Sequence, residues 1–167
     1  MKIIKSFNDF SDFDPISIVE KLSHSKDWGF DRIDENKINI SIQGMWHTYS
    51  LEIDYLKNSD DLCLLCFFNF NLPQKKHFNF LKLLNIVNSE NLNGTFFYFF
   101  QNNLLTFKNK LSEISNNENI NKNIYECIER NILICDRFYP AFQLISWTNE
   151  VPEKAMNFAF DTPMGSA

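Results

Sequence analysis

The stretch Ile120 to Trp147, INKNIYECIERNILICDRFYPAFQLISW, holds the longest helical hydrophobic period in the chain. At about 100° per residue, Ile120, Ile124, Cys127, Ile128, Ile134, Cys135, Phe138, Phe142 and Ile145 fall on one face, opposite Glu126, Glu129, Arg130 and Arg137. A helix so patterned must bury one side, so the rest of the chain has to supply a layer to receive it. Pro140 removes the amide that would donate to the carbonyl of Asp136, which predicts a kink or a loosened turn. Past that point Leu144 and Trp147 point to the side that carries Glu126, Glu129 and Arg137 earlier in the helix. Apolar residues then surround the helix, and the cover is either the chain's own segment Pro152 to Phe160 or another subunit.

The layer for this helix is legible upstream. Asp14-Pro15 is an N-cap followed by proline at the first helical position, opening a helix to about Ser25 with Ile16, Val19 and Leu22 inward. Gly29 is placed to end it with a positive φ, and Trp28 and Phe30 to anchor the turn. From Lys37 the period changes to two: Ile38, Ile40 and Ile42, then Tyr49, Leu51, Ile53 and Tyr55, alternate with polar residues and predict two half-buried strands. Leu62 to Phe70 is apolar on both faces, which suits a central strand, and the three make an antiparallel meander. Leu72-Pro73 opens a second helix ending near Asn93-Gly94, with Phe78, Leu81, Leu83 or Leu84, and Val87 at helical spacing. Thr95 to Phe100 and Leu104 to Lys110 read as a hairpin about Asn102-Asn103, residues that tolerate the positive φ of a type I′ turn. The order α-β-β-β-α-β-β-α predicts an α+β fold: an antiparallel sheet with helices packed on it. Residues 14–160 form one domain between a loose arm, 1–13, and a tail, 161–167.

Charge and cysteine usage narrow the function. A net charge of −5 argues against nucleic acid or an anionic membrane as partner. Acidic residues interrupt the N-terminal stretch before any secretory apolar region, and no run approaches the 18 apolar residues of a membrane span, which predicts a cytoplasmic protein. Cys63-Leu-Leu-Cys66 has CxxC spacing, but on a strand residues three apart face opposite ways, so neither a redox pair nor a metal site is expected. Cys127 and Cys135, eight apart on one helix, lie roughly 12 Å apart along its axis and cannot bridge.

Catalytic constellations are not found. His24, His47 and His77 have no HxxxH, HExxH or His-Cys spacing. Four glycines in all make a phosphate-cradling loop improbable. No cofactor or metal is expected. Arg32 and Arg137 stand out as charged residues, either as structural ion pairs or as ligand anchors.

Asp27-Trp28 with Phe30 and Arg32, then Trp46 and Tyr49, the Leu72-Pro73 helix ending before Gly94, and above all Cys135, the run Arg137-Phe138-Tyr139-Pro140-Ala141-Phe142-Gln143 and Trp147 resemble the YbjN family of bacterial sensory transduction regulators. The resemblance spans about Asp14 to Phe160 and is most specific in the RFYPAFQ run. It implies a fold like that of type III secretion chaperones, dimeric α+β proteins, and it brings no catalytic residues. The expectation is a non-enzymatic, chaperone-like regulator, a homodimer binding other proteins through Phe138, Tyr139, Pro140, Phe142, Leu144 and Trp147. The alternative is a small-ligand sensor with a pocket between the sheet and the C-terminal helix, anchored by Arg32 or Arg137.

Overall fold

A computed structural model describes residues 13–90 and 92–161; the arm expected over 1–12 and most of the expected tail lie outside them. Helices α1 (Pro15–Lys26), α2 (His77–Ser89), α3 (Ile120–Trp147) and α4 (Pro152–Asp161) accompany strands β1 (Gly29–Arg32), β2 (Lys37–Gln43), β3 (Thr48–Leu56), β4 (Asp61–Asn69), β5 (Gly94–Phe99) and β6 (Leu104–Leu111). The strands form one antiparallel sheet in the order β1-β2-β3-β4-β6-β5. Because β5 pairs outside β6, the connection through α2 crosses over β6 to reach the sheet's edge.

The α+β class holds, with two elements more than the sequence pattern predicts. β1 pairs with β2 from Gly29 opposite Ser41 to Arg32 opposite Ile38, so the meander has four strands. Gly29 is strand, and Asp27 ends α1 instead: its φ of 56° is left-handed and its N–H donates to the carbonyls of Ser23 and His24. Aspartate tolerates that conformation better than most residues, so the chain turns two residues early and leaves room for β1. The second addition is α4, where Ala155, Met156 and Ala159 are buried against α2 and α3.

One core lies between the sheet and the helices. Ile38, Ile40, Ile42, Tyr49, Leu51, Ile53, Leu62, Leu64, Cys66, Phe68, Leu105, Phe107, Phe96 and Tyr98 face it from the sheet. α1, α3 and α2 lie on that face, and among the described residues no helix packs on the other. Leu65 and Phe67 of β4 point to this second face, half-shielded by neighbouring strands, which is why β4 reads as apolar on both sides. Aromatic rings fill the end of the core beneath α2: Phe80 lies 5.2 Å from Phe70, 5.2 Å from Tyr98 and 5.6 Å from Phe142, in stacked, edge-on and tilted arrangements respectively.

α2 differs from expectation in its face. Its buried residues are Phe80, Leu83, Leu84 and Val87, while Phe78 and Leu81 are exposed. Phe80, Leu83, Leu84 and Val87 follow the i, i+3, i+4, i+7 spacing of one helical face, whereas Phe78 and Leu81 fall outside it. The β5–β6 connection is also not a two-residue type I′ turn: of Asn102 and Asn103 only Asn103 has positive φ, and the N–H of Asn102 donates to the carbonyl of Phe99. A longer loop relaxes the requirement for two left-handed residues.

Candidate functional site

α3 is a single helix of 28 residues that runs unbroken through Pro140. Neither end of the helix has a side-chain cap on its first turn or a basic residue in its last. Lysine from another element supplies the missing cation. Lys76, buried in the short 3-10 turn before α2, donates from Nζ to the carbonyl of Thr148 and to Oδ1 of Asn149. That satisfies acceptors at the C-terminal end of α3, where the helix dipole favours positive charge, and it fixes the start of α2 beside the end of α3.

Midway along α3, Asp136 interrupts the apolar stripe and is nonetheless buried. Its carboxylate accepts from Met45 N–H at 2.8 Å, Tyr49 O–H at 2.9 Å and Trp46 N–H at 3.4 Å. The helix thereby grips the β2–β3 turn. Gly44 is there for space, not for φ: a Cβ would strike the Tyr49 ring and lie 2.7 and 2.9 Å from the Asp136 oxygens. Burial, then the charge of Asp136, drive the Tyr49 hydroxyl pKa far up, so the phenol stays a donor. His47 stacks on Tyr139 at 5.9 Å, with Tyr49 and Phe68 around it. Its place is therefore packing within this turn.

The residues expected to form an interface divide into three. Phe138 and Phe142 are fully buried, Phe138 with the ring of Phe160 in α4 at 6.3 Å. Tyr139, Pro140 and Leu144 are half-buried. Trp147 is 78% exposed, the most exposed large apolar side chain among the described residues, followed by Phe78 at 69%. The chain's own C-terminal segment thus packs on Phe138, while the rings of Phe70, Phe80 and Phe96 surround Phe142 and Trp147 is left in the open. The Lys76 contact brings Phe78 and Trp147 to the same end of the molecule, with half-exposed Val151 in the following loop.

The arginines have partners within the chain. Arg32 forms ion pairs of 3.0 Å with Asp14 and 3.0 Å with Glu20, tying α1 to β1. Arg137 lies over the Phe160 ring, its guanidinium carbon 4.9 Å from the centroid. Both therefore serve contacts between elements. The groove that does open between sheet and α3 is lined instead by Lys108, Lys110, Asn109, Cys127 and Arg130.

Cys66 faces the core and Cys63 the opposite side of the sheet, as a strand requires. The thiols that do meet are Cys66 and Cys135, with sulfurs 3.6 Å apart and both fully buried. Burial, reinforced by Cys66, holds the Cys135 thiol well above its ordinary pKa, so it remains protonated. Among the described residues no group of three or more His, Cys, Asp or Glu is placed to hold a metal ion, and no helix is long and apolar enough to cross a membrane.

These features define an α+β domain with every helix on one face of an antiparallel sheet, a long helix pinned at its middle and end, and an aromatic tip. Residues 15–144 match the YbjN family, "Putative bacterial sensory transduction regulator", and the chain belongs to that family. The match contains the Asp136 pin and the groove, and ends before Trp147 and α4. Comparison with curated proteins and with solved structures returned no match.

Proposed function

We propose that this chain is a cytoplasmic regulatory protein that acts by binding another protein through the aromatic tip formed by Trp147, Phe78 and Val151, and not by catalysis. The observation that carries the reading is the exposure of Trp147 at 78% within a run whose neighbours Phe142 and Ile145 are buried. Tryptophan is enriched at the centres of protein interfaces because it removes a large apolar area from water when covered. The occupant is the apolar face of a basic amphipathic segment, which a chain of net charge −5 complements. The regulatory role fits the family description. A second copy of the chain is the competing occupant, and chaperone-like dimers would be built that way.

The test is affinity purification from the native cell with the wild-type chain and a Trp147→Ala/Phe78→Ala variant, followed by titration of any differential partner in purified form. A partner with a basic amphipathic segment, bound at least tenfold more weakly by the variant, supports the reading. An identical partner set for both chains overturns it. A wild-type dimer and monomeric variant in sedimentation equilibrium would assign the tip to self-association instead.

A further inference from the structure

We infer that Asn88, at the end of α2, shuts the outer edge of β5 against pairing with a second copy of this chain. The edge shares no residue with the aromatic tip.

An open sheet has two edges, and each offers unpaired N–H and C=O groups to any extended backbone. Here the edges are β1 and β5. β1 is a poor template: it has four residues, and Asp31 and Arg32 among them are charged. β5 is the opposite case. The run Thr95-Phe96-Phe97-Tyr98-Phe99-Phe100 carries neither charge nor proline and is almost wholly aromatic, a composition that pairs readily with a copy of itself. Phe97 and Phe99, on the sheet face that no described helix covers, are both half-exposed.

The register shows which groups of β5 face outward. The N–H of Phe96 donates to Oδ1 of Asn88 at 2.8 Å, and Nδ2 of Asn88 donates to the carbonyl of Phe96 at 3.0 Å. Phe96 sits opposite Phe107 on β6, yet both its backbone groups turn away from that strand. In an antiparallel ladder such residues alternate with those bonded to the neighbour. Gly94 and Tyr98 therefore share the orientation of Phe96. Among the described residues no other element supplies a partner for the N–H or C=O of Tyr98.

These three residues match themselves. In an antiparallel pair of β5 edges about a two-fold axis at Phe96, Phe96 would exchange both bonds with Phe96 of the copy, and Gly94 would do so with Tyr98. Asn88 occupies the centre of that arrangement. Its side-chain amide presents a donor and an acceptor side by side, as a peptide group does, and so gives Phe96 the two bonds a second strand would give. Bonds within one chain cost no association entropy, so the asparagine outcompetes a second copy while it is in place. Leu81, seven residues before Asn88 and on the same side of α2, is half-exposed. With the clasp gone, two α2 helices would meet across the axis with apolar surface to bury.

Sedimentation and amide hydrogen exchange of the full chain and of Asn88→Ala test this. In the wild type the Phe96 amide should be protected, and the Tyr98 amide should exchange fast at every concentration. Asn88→Ala should self-associate at least about tenfold more tightly than the wild type, the factor that two competing hydrogen bonds of ordinary net strength supply. Its Phe96 amide should exchange faster when dilute, and the Phe96 and Tyr98 amides should become protected together as concentration rises. Adding Phe97→Lys, which places a charge on the edge strand, should return Asn88→Ala to wild-type association. Circular dichroism checks folding, and Asn88→Ser, whose hydroxyl cannot replace both bonds, serves if the alanine variant does not fold. Association no stronger than that of the wild type overturns the proposal. So does association without protection of Tyr98, or a Tyr98 amide already protected in the wild type. Trp147→Ala should leave the edge association intact, which separates it from self-association through the tip.

Discussion

Replacing Asp136 by Asn tests whether one buried carboxylate holds the β2–β3 turn to α3. The substitution keeps size and one acceptor oxygen, but it removes the charge and turns an NH2 group toward a donor. Two short bonds, from Met45 N–H at 2.8 Å and Tyr49 O–H at 2.9 Å, converge on the carboxylate, with Trp46 N–H more distant at 3.4 Å. A hydrogen bond to a charged group contributes about 1.5–3 kcal/mol, and an unsatisfied buried group costs a similar amount. With one of the two short bonds lost and the other weakened, Asp136→Asn should cost about 2–4 kcal/mol. At about 2–4 °C per kcal/mol for a chain of this size, Tm should fall by roughly 4–16 °C.

Chemical denaturation measures the cost, and a double-mutant cycle isolates its cause. Tyr49→Phe removes one donor and leaves the ring in place, so about 1–2 kcal/mol is expected. The double variant should cost less than the sum by about 1 kcal/mol, because the Tyr49–Asp136 bond can be lost only once. No cation is paired with Asp136 among the described residues, so the opposing possibility is concrete: a buried charge can cost more than its hydrogen bonds return. If Asp136→Asn is neutral or stabilising, or if the two substitutions add without coupling, the pin does not hold the turn.

Lys76→Met should cost about 1–3 kcal/mol by freeing the acceptors of Thr148 and Asn149, and hydrogen exchange should localise the loosening to the last turn of α3. Phe142→Ala should cost about 3–5 kcal/mol in denaturant unfolding, whereas Trp147→Ala should stay within about 0.5 kcal/mol, the pattern of a surface residue kept for contact. Asp14 gives a pH dependence. Burial raises its carboxyl, but hydrogen bonds from Ser17 and Arg32 outweigh that and bring it from 3.8 to about 2. A folded pKa below the unfolded one stabilises above pH 4, and that contribution is lost as pH falls toward 2. With 42% of the side chain exposed, screening limits it to about 1 kcal/mol; Asp14→Asn should remove this step from the stability profile.

The sequence pattern was most informative where a period ran long. α3 begins at Ile120 and ends at Trp147, as its 28-residue stripe predicts. β1 was invisible because Gly29–Arg32 is four residues with no alternation long enough to register. α2 was legible as a helix but not in phase: Phe78, Phe80, Leu81, Leu83 and Leu84 crowd seven positions, and only packing against Phe70 and Tyr98 selects Phe80. Asp136 left a usable signal. It lies beside Cys135 and four residues after Ile132, both buried, so a carboxylate there must either break the stripe or find buried donors. The Lys76 contact left none, since only the packing of the fold brings the start of α2 beside the end of α3, and that is not written in local spacing.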